Sequence, residues 1–264
     1  MRVCTVASGS SGNCVYIGDG DTHILVDAGI SRKKIVEGLK SFGVDAADLS
    51  AIFVTHEHSD HINGLKVLDK NYGIPIYGTR GTLLGINNAF KDYEFSEDRL
   101  NIIESDMGIK VDNLKITPFT ISHDANEPVG FTVTDGVKKM SISTDLGVFT
   151  DYTIANLEGS EAIILEANHD ISMLETGTYP YHLKRRILSD KGHLSNDASG
   201  DLLSKLIWKD LKHICLAHLS KDNNYPELAL QTIKCSLWEN LGMKEVPFDL
   251  YVANRNEPSK MITI

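Results

Sequence analysis

Residues 54 to 65 read VTHEHSDHINGL, and three histidines and an aspartate, His56, His58, Asp60 and His61, fall within six positions directly after an apolar run. With ten histidines in 264 residues, a random ordering of the chain produces H-x-H-x-D-H in roughly one shuffle in a thousand. Solubility does not explain the cluster, because imidazole is an uncommon choice for a merely solvated loop. Imidazole nitrogens and carboxylates are, in contrast, donors that divalent metals take. In an extended segment at the end of a strand, His56 and His58 lie two apart and point the same way, while Asp60 and His61 fall where the chain turns towards a helix. The spacing suits two neighbouring ions, His56 and His58 on one, Asp60 and His61 on the other. Four side chains do not fill two coordination spheres, so further donors must come from downstream.

Outward from this stretch the punctuation is regular. Apolar β-type runs stand at RVCTVA, CVYIG, HILVDAG and AIFVTH, with a helical stretch SRKKIVEGLKSFG before the last of them. A second set follows at NLKITPFTI, PVGFTVTDG, KKMSISTD, EAIILEAN, HICLAHL and PFDLYVA, with helical patterns near 151 to 157, 180 to 189, 196 to 207 and 226 to 240. GDGD at 18 to 21 and TDGVKK at 134 to 139 read as hairpin turns. No glycine/serine linker, charge block or repeat interrupts the series, so residues 1–264 are expected to form one α/β domain with two sheet-containing halves.

The missing donors occur at a common landmark, the end of a strand: His123 after TPFTIS, Asp145 after MSIST and His218 after ICLA. Such strand ends are where α/β architectures tend to place sites. Asp145 could bridge two ions through its two oxygens. Taken singly each is an ordinary loop residue; the grouping with His56 to His61 makes the case.

THEHSDH with His123, Asp145 and His218 resembles the metallo-β-lactamase superfamily, and LVDAG at 25 to 29 matches the usual first motif of that superfamily. ASGSSGN at 7 to 13, EANHD at 166 to 170, YPYHLKRRI at 179 to 187 and GHLSN at 192 to 196 resemble the YycJ (WalJ) branch, compact relatives of β-CASP nucleases such as RNase J. The resemblance covers the whole chain. It implies a four-layer αββα sandwich, two divalent metal ions, and hydrolysis of phosphodiester bonds in nucleic acid, with 5′-to-3′ exonuclease action on DNA for this branch. There is no room between Asp145 and His193 for a β-CASP cap, which puts processive RNA digestion in doubt and makes DNA ends the expected partner.

The resemblance also suggests roles. His56, His58, Asp60, His61, His123, Asp145 and His218 would be the ligands, and Asp60 would orient the attacking hydroxide. Seven ligands already serve two ions, so His193 is expected to contact the scissile phosphate, stabilising charge or protonating the leaving group. Asp27 would orient the ligand loop by accepting a hydrogen bond, and His169 lies beside the site with no role set by the sequence. Candidate substrate contacts are Ser195 and Asn196, the cations Lys184 and Arg186 of the LKRR tract, and Ser10, Ser11 and Asn13 of the glycine-rich loop. Ligands of nitrogen and oxygen only suit zinc, manganese or iron, with zinc and manganese ranked together.

Composition sets the limits. A formal charge of −10 argues against a broad basic face that coats nucleic acid. Four cysteines without C-x-x-C spacing read as free thiols in a reducing compartment. The first residues lack the apolar core of a signal peptide and no apolar run reaches membrane-spanning length, so a cytoplasmic location is expected. Thioesterases of the glyoxalase II type carry the same ligand set and are the main competing class; GHLSN and LKRR favour a phosphate substrate. True β-lactamase action fits less well, because those enzymes characteristically lack a bridging carboxylate where Asp145 stands. A role in which metals only hold the fold is the third reading.

Overall fold

The structure, a computed structural model, describes residues 1–207 and 210–264. In chain order the strands are β1 (Arg2–Ala7), β2 (Cys14–Asp19), β3 (Thr22–Val26), β4 (Ala51–Phe53), β5 (Ile76–Gly78), β6 (Leu100–Ile102), β7 (Ile109–Val111), β8 (Leu114–Thr120), β9 (Val129–Thr134), β10 (Lys139–Ser143), β11 (Ala162–Glu166), β12 (His213–Ala217), β13 (Asp249–Val252) and β14 (Ile262–Thr263). The helices are α1 (Arg32–Ser41), α2 (Ser59–Ile62), α3 (Leu65–Tyr72), α4 (Arg80–Ala89), α5 (Asp151–Leu157), α6 (Ile171–Thr176), α7 (Tyr181–Ile187), α8 (Asn196–Lys205) and α9 (Pro226–Leu241). Strands and helices alternate through both parts of the chain, giving the α/β class read from the sequence: mixed sheets with flanking helices. No described helix is long and apolar enough to cross a membrane.

Two compact units are formed, and they are not sequential halves. The first comprises residues 1–120, 125–137 and 254–264, the second 121–124 and 138–253. In the first unit seven strands run in the order β14-β1-β2-β3-β4-β5-β6. Pairing is antiparallel from β14 to β3 and parallel from β3 to β6. Each parallel step is made by a helical crossover, which is how neighbouring parallel strands must be joined. α1 shows why the sequence folds so: the Ser31 side chain accepts the Lys34 N–H at its start, and Ile35 and Leu39, one turn apart, are buried. The strands β7, β8 and β9 form an antiparallel ladder in the same unit, and Phe131 of β9 meets Phe53 of β4 edge-on with ring centroids 5.7 Å apart.

The second unit carries the parallel run β10-β11-β12-β13. A parallel sheet covered by helices needs apolar residues on both faces, and every residue of AIILE in β11 is buried. Against it α8 lies close on α9: a Cβ on Gly200 would come within 2.6 Å of the Ser236 Cβ, so the small residue permits the approach. All ten strands read from the sequence are present. β5, β6, β7 and β14 were not, because two or three residues carry too little alternation to register; β4 is as short but is legible because its apolar run continues through Val54 into the histidine cluster.

Candidate metal centre

In the first unit, β4 ends at Phe53 and the chain runs through Thr55 and His56 into the short helix α2, with His58 at its N-cap. This puts the rings of His56 and His58 against each other, Nε2 of the first 3.0 Å from Nδ1 of the second, and brings the His56 and His61 ring centroids to 4.1 Å. Asp60 lies beside them, its Oδ2 3.6 Å from His61 Nε2. Nitrogen and oxygen donors packed this closely suit a cation.

Asp27 orients them from the end of β3. Its Oδ2 accepts from His61 Nδ1 at 2.7 Å, and its Oδ1 from the Thr55 N–H at 2.9 Å. The Thr55 hydroxyl sits between, 3.0 Å from His56 Nδ1. A carboxylate on Nδ1 fixes the tautomer and leaves Nε2 as the metal-facing nitrogen of His61. Asp27 does this from a left-handed backbone, φ 62°, a conformation that aspartate tolerates better than most residues.

Main-chain hydrogen bonds stitch the surrounding loops together. Asn13 N–H donates to the Asp60 carbonyl at 2.8 Å, Gly29 N–H to the Asn13 carbonyl at 2.8 Å, and Ala28 N–H to the His61 carbonyl at 2.9 Å. A Cβ on Gly29 would overlap the Asp60 carbonyl, so the glycine of LVDAG is there for close approach. Asn13 is buried; its side chain accepts from the Gly9 N–H and lies 3.2 Å from His61 Nε2. It therefore positions the loop and a candidate ligand, where the sequence suggested a substrate contact. Ser10 and Ser11 are exposed at the loop tip.

The second unit gathers another set at strand ends. Asp145 follows β10 and His218 follows β12, both with left-handed backbones, φ 55° and 57°. Strain of this kind costs about 1–3 kcal/mol and needs support; Asn168 supplies part of it by donating to the His218 carbonyl at 2.9 Å. Glu166, at the end of β11 and with no solvent exposure, ties the set together. Its Oε1 lies 2.9 Å from His193 Nδ1 and 2.8 Å from His218 Nδ1, and its Oε2 accepts the N–H groups of Leu146 at 2.8 Å and Leu194 at 3.1 Å. Burial opposes ionisation of this carboxyl, but the charges and hydrogen bonds of His193 and His218 outweigh it and hold the group below the ordinary glutamate range. Asp145, Glu166, His193 and His218 each offer a ligand atom, all within 4.8 Å of one another. His123 turns Nδ1 to the Gly192 carbonyl at 3.1 Å and Nε2 towards Asp145, 3.8 Å from its Oδ1. Burial makes His123 harder to protonate, and a neutral imidazole is the form that binds metal.

Glu166 was missed in the sequence reading. The signal was present, a carboxylate closing an apolar strand, the landmark that marked Asp145. His169 is buried and, among the described residues, neither ring nitrogen has a hydrogen-bond partner; burial lowers its pKa to about 4.

Several expected substrate contacts are occupied by the protein itself. Asn196 has no exposure and exchanges amide hydrogen bonds with Asn224, at 3.1 and 2.9 Å, while Ser195 caps α8 by accepting the Ala198 N–H. The Lys184 ammonium donates to the carbonyls of Glu175 and Gly177, both at 2.7 Å, and Arg186 pairs with Asp124. These interactions close the last turn of α6 and fasten α7, which is why the basic tract does not present three open cations.

Residues 22–211 match the family model described as the β-lactamase superfamily domain. The chain is 36% identical over 263 residues to the exodeoxyribonuclease YycJ of Bacillus anthracis, covering 99% of this chain and 98% of that protein. It is 38% identical over 252 residues to the exodeoxyribonuclease WalJ of Streptococcus pneumoniae serotype 2, covering 95% and 93%. Among solved structures, the metallo-β-lactamase fold protein YhfI of Bacillus subtilis superimposes with a TM-score of 0.71 over 98% of both chains at 17% identity, a likeness of fold. The strand-end histidines and carboxylates thus sit in a chain that belongs to the β-lactamase superfamily and, within it, to the YycJ/WalJ family.

Proposed function

We propose that this protein is a metal-dependent nuclease that hydrolyses phosphodiester bonds at DNA ends in the 5′-to-3′ direction, with two divalent ions, zinc or manganese, held by His56, His58, Asp60, His61, His123, Asp145 and His218. The names of the YycJ and WalJ relatives support the substrate. The donor chemistry supports the metals: buried imidazoles whose Nδ1 atoms are taken by Asp27, Glu166 or a carbonyl, leaving Nε2 to coordinate. Iron also suits nitrogen and oxygen donors. When bound, such ions lower the pKa of water and stabilise the oxygens of the attacked phosphate.

The observation that carries the reading is the Glu166 clamp on His193. The His193 side chain is 14% exposed, whereas those of Asp145, Glu166 and His218 are at 4% or less, so His193 is the member that meets substrate. With Nδ1 turned to Glu166, its Nε2 is set to hold a proton and give it to the departing 3′-oxygen. Glu166 keeps the ring oriented through its 2.9 Å contact with Nδ1. Asp60 orients the attacking water. The free thiols of Cys4, Cys14, Cys215 and Cys235 suit a cytoplasmic location, which we include in the proposal.

The test offers zinc- or manganese-loaded protein four substrates in parallel: end-labelled single-stranded DNA, double-stranded DNA, RNA and a glutathione thioester. Stepwise shortening of DNA from the 5′ end is expected. Turnover of the thioester alone would replace this reading with a glyoxalase II-type one.

A further inference from the structure

α7 has two faces of different character. Ile187 alone is buried, while Lys184 is tied to backbone carbonyls and the half-exposed Arg186 to Asp124. Outward, Tyr181, Arg185 and Leu188 follow one another at i, i+4 and i+7, which places them along one side of the helix. Tyr181 is 75% exposed and Leu188 45%. A tyrosine so open gains nothing from burial, and Arg185 stands one turn from it, in a run of three consecutive cations within a chain of formal charge −10. Aromatic faces flanked by cations are what single-stranded nucleic acid uses: bases stack on the ring and phosphates meet the charge.

The helix is also rigidly coupled to His193. The His193 N–H donates to the Ile187 carbonyl at 3.0 Å, and a Cβ on Gly192 would overlap that same carbonyl. In the turn between, the Ser122 hydroxyl donates to the Asp190 carbonyl at 2.6 Å, and the Gly192 carbonyl faces His123 Nδ1 at 3.1 Å. Tyr181 lies six residues before Ile187, about 9 Å along the axis at the helical rise. At about 3.4 Å per stacked nucleotide, that length matches two or three nucleotides counted from the Ile187 carbonyl that holds the His193 turn.

From this placement we propose that the outward face of α7 is a stacking platform for single-stranded DNA, with Tyr181 under a base two or three nucleotides from the cleaved bond and Arg185 on the neighbouring phosphate. The proposal rests on the nuclease reading above and adds the strand-holding surface to it.

The experiment uses the metal-loaded full chain and a single-stranded oligonucleotide with phosphorothioate linkages, so that binding is read without cleavage. Affinity is measured by fluorescence anisotropy, and stacking by quenching of 2-aminopurine placed at the first to fifth positions. Tyr181→Ala is expected to weaken binding by roughly 5- to 150-fold, the range for loss of one stacked base, and to relieve the quench at the second or third position. Tyr181→Phe should keep both. Arg185→Ala should weaken binding and lower the slope of log affinity against log salt by about one phosphate contact. Hydrolysis of bis(p-nitrophenyl) phosphate, too short to reach α7, should be unchanged in all three variants, because none of these side chains touches the reacting atoms. Wild-type protein that degrades DNA while Tyr181→Ala binds and quenches as wild type does would overturn the platform alone. Wild-type protein that neither binds nor degrades DNA would overturn the nuclease reading and the platform with it.

Discussion

Replacing Glu166 by glutamine tests the link between the second unit's fold and its chemistry. The carboxylate accepts four hydrogen bonds, two from backbone N–H groups through Oε2 and two from His193 and His218 Nδ1 through Oε1. The glutamine carbonyl can keep Leu146 and Leu194, so the buried donors stay satisfied and the fold persists. Its NH2 then faces the two Nδ1 atoms, which must become acceptors. Each ring moves its proton to Nε2, the nitrogen a metal would need from His218. Loss of an orienting carboxylate of this type commonly costs 10- to 100-fold in metal affinity, about 1.4–2.7 kcal/mol. Competition of zinc or manganese with a chromophoric chelator, alongside thermal unfolding of the metal-free protein, measures both consequences. Metal-free Glu166→Gln is expected to fold with a loss of about 1–3 kcal/mol, since charge-assisted bonds become neutral ones. Unchanged metal affinity in a folded variant would refute the argument. Glu166→Ala is a poorer probe, because it orphans two buried N–H groups at about 1–3 kcal/mol each and confounds folding with metal loss.

Asp145→Ala should lose at least one ion equivalent and nearly all hydrolysis while remaining folded; elemental analysis showing two full equivalents would take Asp145 out of the ligand set. His193→Ala should keep both metals and bind a DNA end, yet cleave about a hundredfold or more slowly in single turnover; loss of a metal would make His193 a ligand, and an unchanged rate would make it structural. Gly29→Ala should fail to fold or lose metal, because its Cβ would overlap the Asp60 carbonyl and force apart the Asn13 and His61 loops; native-like metal content and melting temperature would contradict this. Burial raises the Cys4 thiol to about 11 and the Cys14 thiol as well, and Cys215 is also buried. A thiol reagent at pH 8 should therefore label Cys235 alone in the native protein and all four in denaturant. Because these folded-state values lie above the unfolded value of about 8.5, the associated stability is complete below that pH and declines as pH rises towards 11, visible as a falling unfolding midpoint.

The sequence by itself determined the parts that depend on near neighbours. His56, His58, Asp60 and His61 are set by spacing along one strand-to-helix turn, and the apolar runs before Asp27, His123, Asp145 and His218 mark strand ends wherever the strand is five or more residues long. Capping residues Ser31 and Ser195 begin their helices for equally local reasons. Only the tertiary structure decided which polar groups are already spent. Asn196 meets Asn224 twenty-eight positions away, Arg186 meets Asp124 across sixty-two, and Asn13 reaches His61 across forty-eight. No period or motif encodes a partner at such separations, since it is chosen by how strands stack in the sheet. The same holds for Glu166: it meets His218 because β11 and β12 run side by side in parallel and end at the same edge, and it meets His193 because the turn before α8 is pinned to it by the Leu194 N–H. It holds also for residues 254–264, which return to the first unit because β14 completes a ladder with β1. A pairing of first strand with last is settled by backbone hydrogen bonds that any apolar pair of strands could make, so side-chain identity could not announce it.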